Sequence, residues 1–127
     1  MEYRLVIPYA LAGLNEYISA ERANRHAAAK LKAQIESGII MLCRQQLRGV
    51  KIENPVYMRY LWVEKHMRRD KDNISSFGRK VIQDALVKSG VLKNDGWANI
   101  TGFADEFAVD REKPRVEVII EEITETS

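Results

Sequence analysis

In the stretch Arg68-Arg69-Asp70-Lys71-Asp72-Asn73, two carboxylates stand two residues apart among cations. Side chains at that spacing in an extended chain point the same way. Asp70 and Asp72 would then face one point in space, where their repulsion is relieved by a divalent cation. Hard oxygen donors suit Mg²⁺, with Mn²⁺ as a substitute. Helix capping is the competing role, because an Asx residue at a helix start accepts a hydrogen bond from a free backbone N–H. One of Asp72 and Asn73 is expected to cap in this way. Capping explains one Asx residue here, not three in four positions.

Lys80 and Asp84 follow, four apart and therefore on one face of a helix. They make either a surface ion pair or a cation turned toward the carboxylates, where it would hold a phosphate or stabilise charge on a reacting oxygen. Asp95 lies in the polar turn Asn94-Asp95-Gly96 and is either a turn former or a third acidic ligand. Trp97 beside it either stacks on a base or covers a sheet edge. Trp62 reads as core, and His66 as a solvated histidine. No Ser/His/Asp or Cys/His arrangement and no glycine-rich phosphate loop is present.

These residues need a scaffold. Tyr3 to Ala10 reads as a first strand with Leu5 and Ile7 on one side, followed by a turn at Gly13 and Asn15. Ser19 is the expected N-cap of one long helix running to about Arg48 and stopped by Gly49. Its apolar stripe would be Ala27, Leu31, Ile35, Ile39 and Leu42, with a weak point at Gly38. A strand from Pro55 to about Lys65 carries large apolar groups on both sides, which predicts that both its faces are covered. A second helix spans roughly Ile74 to Lys88 with Phe77, Val81 and Ala85 inward and Gly90 as its stop. The loop from Lys93 to Trp97 leads to a strand near Ile100 to Phe107, a turn at Asp110 to Pro114, and a last strand through Val116, Val118 and Ile120. The final two strands read as a hairpin, and residues 123–127 as a frayed tail. The order predicts one α+β domain over residues 1–127, a small mixed sheet with a long N-terminal helix and a second helix packed on it.

Composition narrows the class. At 127 residues, with 46% hydrophobic and 30% charged, the chain suits one compact domain and not a disordered one. The net charge of +2 does not by itself point to nucleic acid, but its distribution does more. Arg22, Arg25, His26, Lys30 and Lys32 cluster, as do Lys65, His66, Arg68, Arg69 and Lys71, while Glu117, Glu121, Glu122 and Glu125 make the end acidic. Cys43 is the only cysteine, which excludes an internal disulfide and a cysteine-based zinc site within one chain; it reads as a small buried helix residue. The start lacks the pattern of a signal peptide, and the apolar runs fall short of a membrane span. A cytoplasmic protein without membrane contact is the expectation.

Arg68-Arg69-Asp70-Lys71-Asp72-Asn73, then Lys80-x-x-x-Asp84-Ala85-Leu86, Gly90-Val91 and Asn94-Asp95 together resemble the RusA family of Holliday-junction resolvases, small homodimeric endonucleases of phages, prophages and bacteria. The likeness runs from Arg68 to Asp95, while the flanking elements fit in general order. It implies a Mg²⁺-dependent endodeoxyribonuclease that resolves four-way DNA junctions by paired nicks in recombination or repair. It implies a metal site of Asp70, Asp72 and Asp95 with Lys80 as the essential cation. Asp84, Asn73 and Asn94 would support the site, and Arg68, Arg69 and Lys71 would hold DNA. Two departures stand out. Six residues separate Asn73 from Lys80, more than in the shorter family form, and Asn94 replaces an acidic residue. A phage-type DNA-binding accessory protein without catalysis, and a nuclease for flaps or forks, are the alternative readings.

Overall fold

The computed structural model describes residues 1–124. Strand β1 (Glu2–Ile7) is followed by helices α1 (Leu14–Ala23) and α2 (Arg25–Gln46), strand β2 (Val56–Glu64), helix α3 (Lys71–Lys88) and strands β3 (Ile100–Val109) and β4 (Arg115–Glu122). The result is the expected α+β architecture: helices over one four-stranded mixed sheet of order β1-β4-β2-β3. β4 runs antiparallel to β1 and β2, and β3 runs parallel to β2.

The hairpin expected from the last two strands is absent. β2 lies between them, so the short connection at 110–114 steps across a strand. Apolar content explains the placement. Val116, Val118 and Ile120 are fully buried and take a central position, whereas most of β3 is exposed or half-exposed and takes an edge. β2 also departs from expectation. Val56, Met58, Tyr60 and Trp62 are buried under the helices, but Arg59 is exposed and Tyr57 and Leu61 are half-buried on a helix-free face. Rows of charge solvate that second face, including the pairs Arg4–Glu117 and Arg59–Glu121.

The long N-terminal helix is two helices. Asn24, in extended backbone at φ −169°, breaks the run, and its side chain accepts a hydrogen bond from the His26 N–H at 2.7 Å. Asn24, not Ser19, is therefore the cap, and Ser19 lies inside α1. The expected turn at Gly13 and Asn15 is the start of α1, with Gly13 at the N-cap. α2 continues through Gly38. Its buried residues are Ala28, Glu36, Ile39 and Cys43, so the inward face is turned by one residue from Ala27 at its start. Buried Glu36 is paired with Lys88. Gly49 and Gly90 follow α2 and α3 at φ 76° and 85°, as expected of helix stops.

α3 starts at Lys71, three residues before the expected point, and buries Ile74, Phe77, Val81, Ile82, Ala85 and Leu86. Trp62 is core as expected, and its indole N–H donates to Asp105. Ile123 is not free, since its N–H donates to the Pro55 carbonyl at 2.8 Å; the rest of the expected frayed end, from 125, lies outside the described residues. No helix among the described residues is long and apolar enough to cross a membrane.

Candidate functional site

α3 carries most of the residues that the sequence singles out, and it distributes them along its length. Asp70 is the N-cap residue, with backbone at φ −66° and ψ 150°, but its carboxylate makes no capping bond. Asp72 sits in the first turn, because the chain is already helical there rather than extended. The premise that Asp70 and Asp72 share one side of an extended strand therefore fails. Asp70 and Asp72 are both exposed, and neither carboxylate has a hydrogen-bond or ion-pair partner among the described residues. Asn73 caps a different helix from the one expected: its side-chain oxygen accepts from the Asn15 backbone N–H of α1 at 2.7 Å.

The second group lies further along α3. The Lys80 ammonium is 3.0 Å from Asp84 and 3.4 Å from Asp95, and Asp84 is also 3.2 Å from Lys32. The expected four-residue pair is real, and the loop after α3 adds Asp95 to it. Asn94 is exposed, and its side chain accepts from the Asp95 N–H at 2.8 Å, which orders the turn. The hydrogen bond that the Lys80 ammonium donates to Asp84 is the main cause that raises the Lys80 pKa, with the charges of Asp84 and Asp95 adding to it against some desolvation. For Asp84, burial pushes the pKa up, but hydrogen bonds and charge from Lys80 and Lys32 outweigh it and hold it below the usual value. Lys32 as a partner is not legible in the sequence, because it comes from α2.

The first group stands at the start of α3 and the second from its middle onward. Lys80 lies eight positions after Asp72, a rise of about 12 Å along a helix. Among the described residues, no three His, Cys, Asp or Glu side chains lie close enough to share a metal ion. The expected set of Asp70, Asp72 and Asp95 is therefore not assembled within one chain. The donors are of the hard type that Mg²⁺ or Mn²⁺ takes, but the described structure does not bring the three together.

Two surface pockets mark the two ends. One of about 640 Å³ beside Asp70 is lined by Glu64, His66, Met67, Lys71, Ile74 and Phe107 among others. One of about 380 Å³ beside Asp95 is lined by Gln83, Trp97, Ile100, Gly102 and Phe103 among others. Trp97 is 96% exposed, so it does not cover the sheet edge.

The basic run before α3 also divides. Arg68 and Lys71 are exposed, with the Lys71 ammonium 5.6 Å from the centre of the Phe107 ring. Arg69 is not a free DNA contact. Its guanidinium donates to buried Glu64 at 2.8 Å, to Glu16 at 3.2 Å and to the Leu11 carbonyl at 3.0 Å. It ties β2, α1 and the segment before α1 together. Glu16 and Leu11 lie 53 and 58 residues from Arg69, so no local pattern in the sequence signals this arrangement.

No family model matches this chain, and no curated protein matches it in sequence.

Proposed function

We propose that the protein is a divalent-metal-dependent endodeoxyribonuclease that resolves four-way DNA junctions by paired nicks, acting as a homodimer with Mg²⁺ as its metal. The observation that carries this reading is the Lys80 ammonium held between Asp84 and Asp95, with two uncommitted carboxylates, Asp70 and Asp72, at the start of the same helix. A surface salt bridge accounts for Lys80 and Asp84 alone. It does not account for a loop carboxylate brought to the same ammonium.

In this reading Lys80 supplies a fixed positive charge to the scissile phosphate and to the reacting oxygens. Asp84 and Asp95 hold that ammonium in place. Asp70, Asp72 and Asp95 are the acidic set that would take the metal. Arg68 and Lys71 contact phosphates, where charge contributes affinity without sequence preference. The exposed Trp97 ring offers a stacking surface for an unpaired base.

A second reading has one observation in its favour. Arg22, Arg25, His26 and Lys30 are all exposed around the start of α2, as a DNA-binding accessory protein without catalysis would need. Incubation with an immobile four-way junction, a fork and linear duplex, each with and without Mg²⁺, separates the readings. Mg²⁺-dependent symmetric nicks in the junction are expected. Cutting confined to the fork would change the substrate, and salt-sensitive binding with no nicks would overturn catalysis.

A further inference from the structure

The loop between α3 and β3 holds Trp97 out in solvent although the loop itself is tied down on both sides. Before the tryptophan, the Asp95 N–H donates to the Asn94 side chain at 2.8 Å. After it, the N–H groups of Asn99 and Ile100 donate to the Gly96 carbonyl at 3.0 and 3.1 Å. The Asn99 carbonyl accepts from the Val56 N–H at 2.8 Å, which pins the loop to β2. Fixed backbone therefore presents the ring, yet Trp97 is 96% exposed. Tryptophan has one of the largest apolar surfaces of any residue, and keeping it in water forgoes the stabilisation that burial brings.

Trp97 does not stand alone. It lines its pocket of about 380 Å³ together with Phe103, Gln83 and Asp95, a volume within the range of small-ligand sites. Phe103 is 48% exposed, and the Arg79 guanidinium lies 4.2 Å from the centre of its ring. Asp105 holds Arg79 at 2.6 Å and accepts from the buried Trp62 indole at 2.9 Å. The aromatic wall is thus anchored in the core. The Gln83 amide donates to the Tyr60 hydroxyl at 3.2 Å, and its carbonyl oxygen accepts no hydrogen bond among the described residues. Asp95, on the opposite side of the loop, is 3.4 Å from the Lys80 ammonium. One carboxylate therefore joins an aromatic pocket to a fixed cation. A nucleotide carries the complementary pair of groups, a flat ring that stacks and a phosphate one sugar away.

From this juxtaposition, and resting on the nuclease reading above, we infer that Trp97 and Phe103 receive one unpaired nucleobase, that of the nucleotide whose phosphate lies on Lys80. Stacking on Trp97 tolerates any base, because every base has a π face. Intact duplex keeps its bases inside the stack, and drawing one out costs free energy; an already unpaired base costs least. A branch point supplies such a base, and linear duplex does not. Trp97 is then a specificity-determining residue, which makes binding beside Lys80 depend on the shape of the DNA rather than on its sequence.

Metal-free binding tests this apart from cleavage. The probes are a duplex with one bulged adenine, the same duplex with an abasic site in the bulge, and the fully paired duplex. The wild type should bind the first at least about tenfold more tightly than the other two, the scale of one base stacked on an aromatic ring. Its tryptophan emission should change on saturation with the first probe alone. Trp97→Leu should level the three affinities and lose the emission change while circular dichroism stays native, and Trp97→Phe should restore part of the preference. Lys80→Gln should weaken all three by a similar factor, as loss of a phosphate contact does. Equal affinity of the wild type for the bulged adenine and the abasic bulge overturns the base site; if the same preparation cuts junctions with Mg²⁺, the nuclease stands without it. Base-dependent binding by a protein that cuts no DNA supports the base site and sinks the nuclease. Binding to none of the probes overturns both. Trp97 emission that shifts with protein concentration in the absence of DNA would give the ring to a contact between copies and overturn the base site.

Discussion

Lys80 is the residue whose charge state matters most to the proposed chemistry, and its surroundings fix that charge. With its pKa raised above the unfolded value, Lys80 contributes stability that is complete below about pH 10 and lost as pH rises through the folded-state value. With its pKa lowered, Asp84 contributes stability that is present above about pH 4 and lost as pH falls through the folded-state value. Between those limits the pair stays ionised, so between pH 6 and 9 the Lys80 charge should not limit cleavage. A pH–rate profile for Lys80→Arg should keep the wild-type shape in this range, while Lys80→Gln should lose most activity at every pH. A wild-type loss of rate below pH 9 that Lys80→Arg abolishes would contradict a permanently charged Lys80. Among the acids, Asp72→Asn should end cleavage and leave junction binding unchanged or tighter in a gel-shift titration. Loss of binding together with cleavage would count against a metal role for Asp72.

Elements decide where these side chains stand, and small contacts decide where the elements stand. Asn73, at the start of α3, caps α1, so Asn73→Ala should cost about 1 kcal/mol in urea unfolding, as for other lost N-caps. Arg69 joins β2, α1 and the Leu11 carbonyl, and its removal leaves the Glu64 carboxylate buried without its cation. Arg69→Ala should therefore cost about 3 kcal/mol, the usual scale for breaking a buried ion pair. An effect on DNA affinity alone, with stability unchanged, would return Arg69 to the DNA-contact role. Helix and sheet also meet closely at Gly78, where an added Cβ would lie 2.9 Å from the Trp62 ring. Trp62 is buried and hydrogen-bonded to Asp105, so it has little room to give way. Gly78→Ala should raise helix propensity yet lower stability by about 1–3 kcal/mol, because overpacking outweighs propensity.

At the scale of the whole molecule, the polarity of the chain around β3 has consequences for assembly. If the proposed homodimer forms, β3 is a candidate contact, because it is an edge strand that pairs with β2 on one side only. The melting temperature should then rise with protein concentration, as it does when folding and association are linked. Phe103→Lys on the free edge should remove that dependence in thermal unfolding while circular dichroism stays native. A concentration-independent melting temperature for the wild type would argue that the edge stays unpaired.

Local signals in the chain were enough for several conclusions. Alternation specified β1, β2 and β4, helical spacing specified α3, and Gly49 and Gly90 marked the ends of α2 and α3. The Lys80–Asp84 pair followed from four-residue spacing alone. All of these depend on neighbours within a few positions, which is the range over which backbone geometry acts. The break at Asn24 and the trans-capping by Asn73 were not legible, because Asx residues serve caps, turns and ligands with the same local pattern. Strand order was not legible either: the short 110–114 connection suggested a hairpin, but burial of Val116, Val118 and Ile120 placed β4 in the centre of the sheet. Only tertiary structure set Asp95 against Lys80 and apart from Asp70 and Asp72, since about half of α3 lies between the two groups. Residue types and spacing determine what chemistry a chain carries, whereas distances between remote elements depend on packing that no short window of sequence contains.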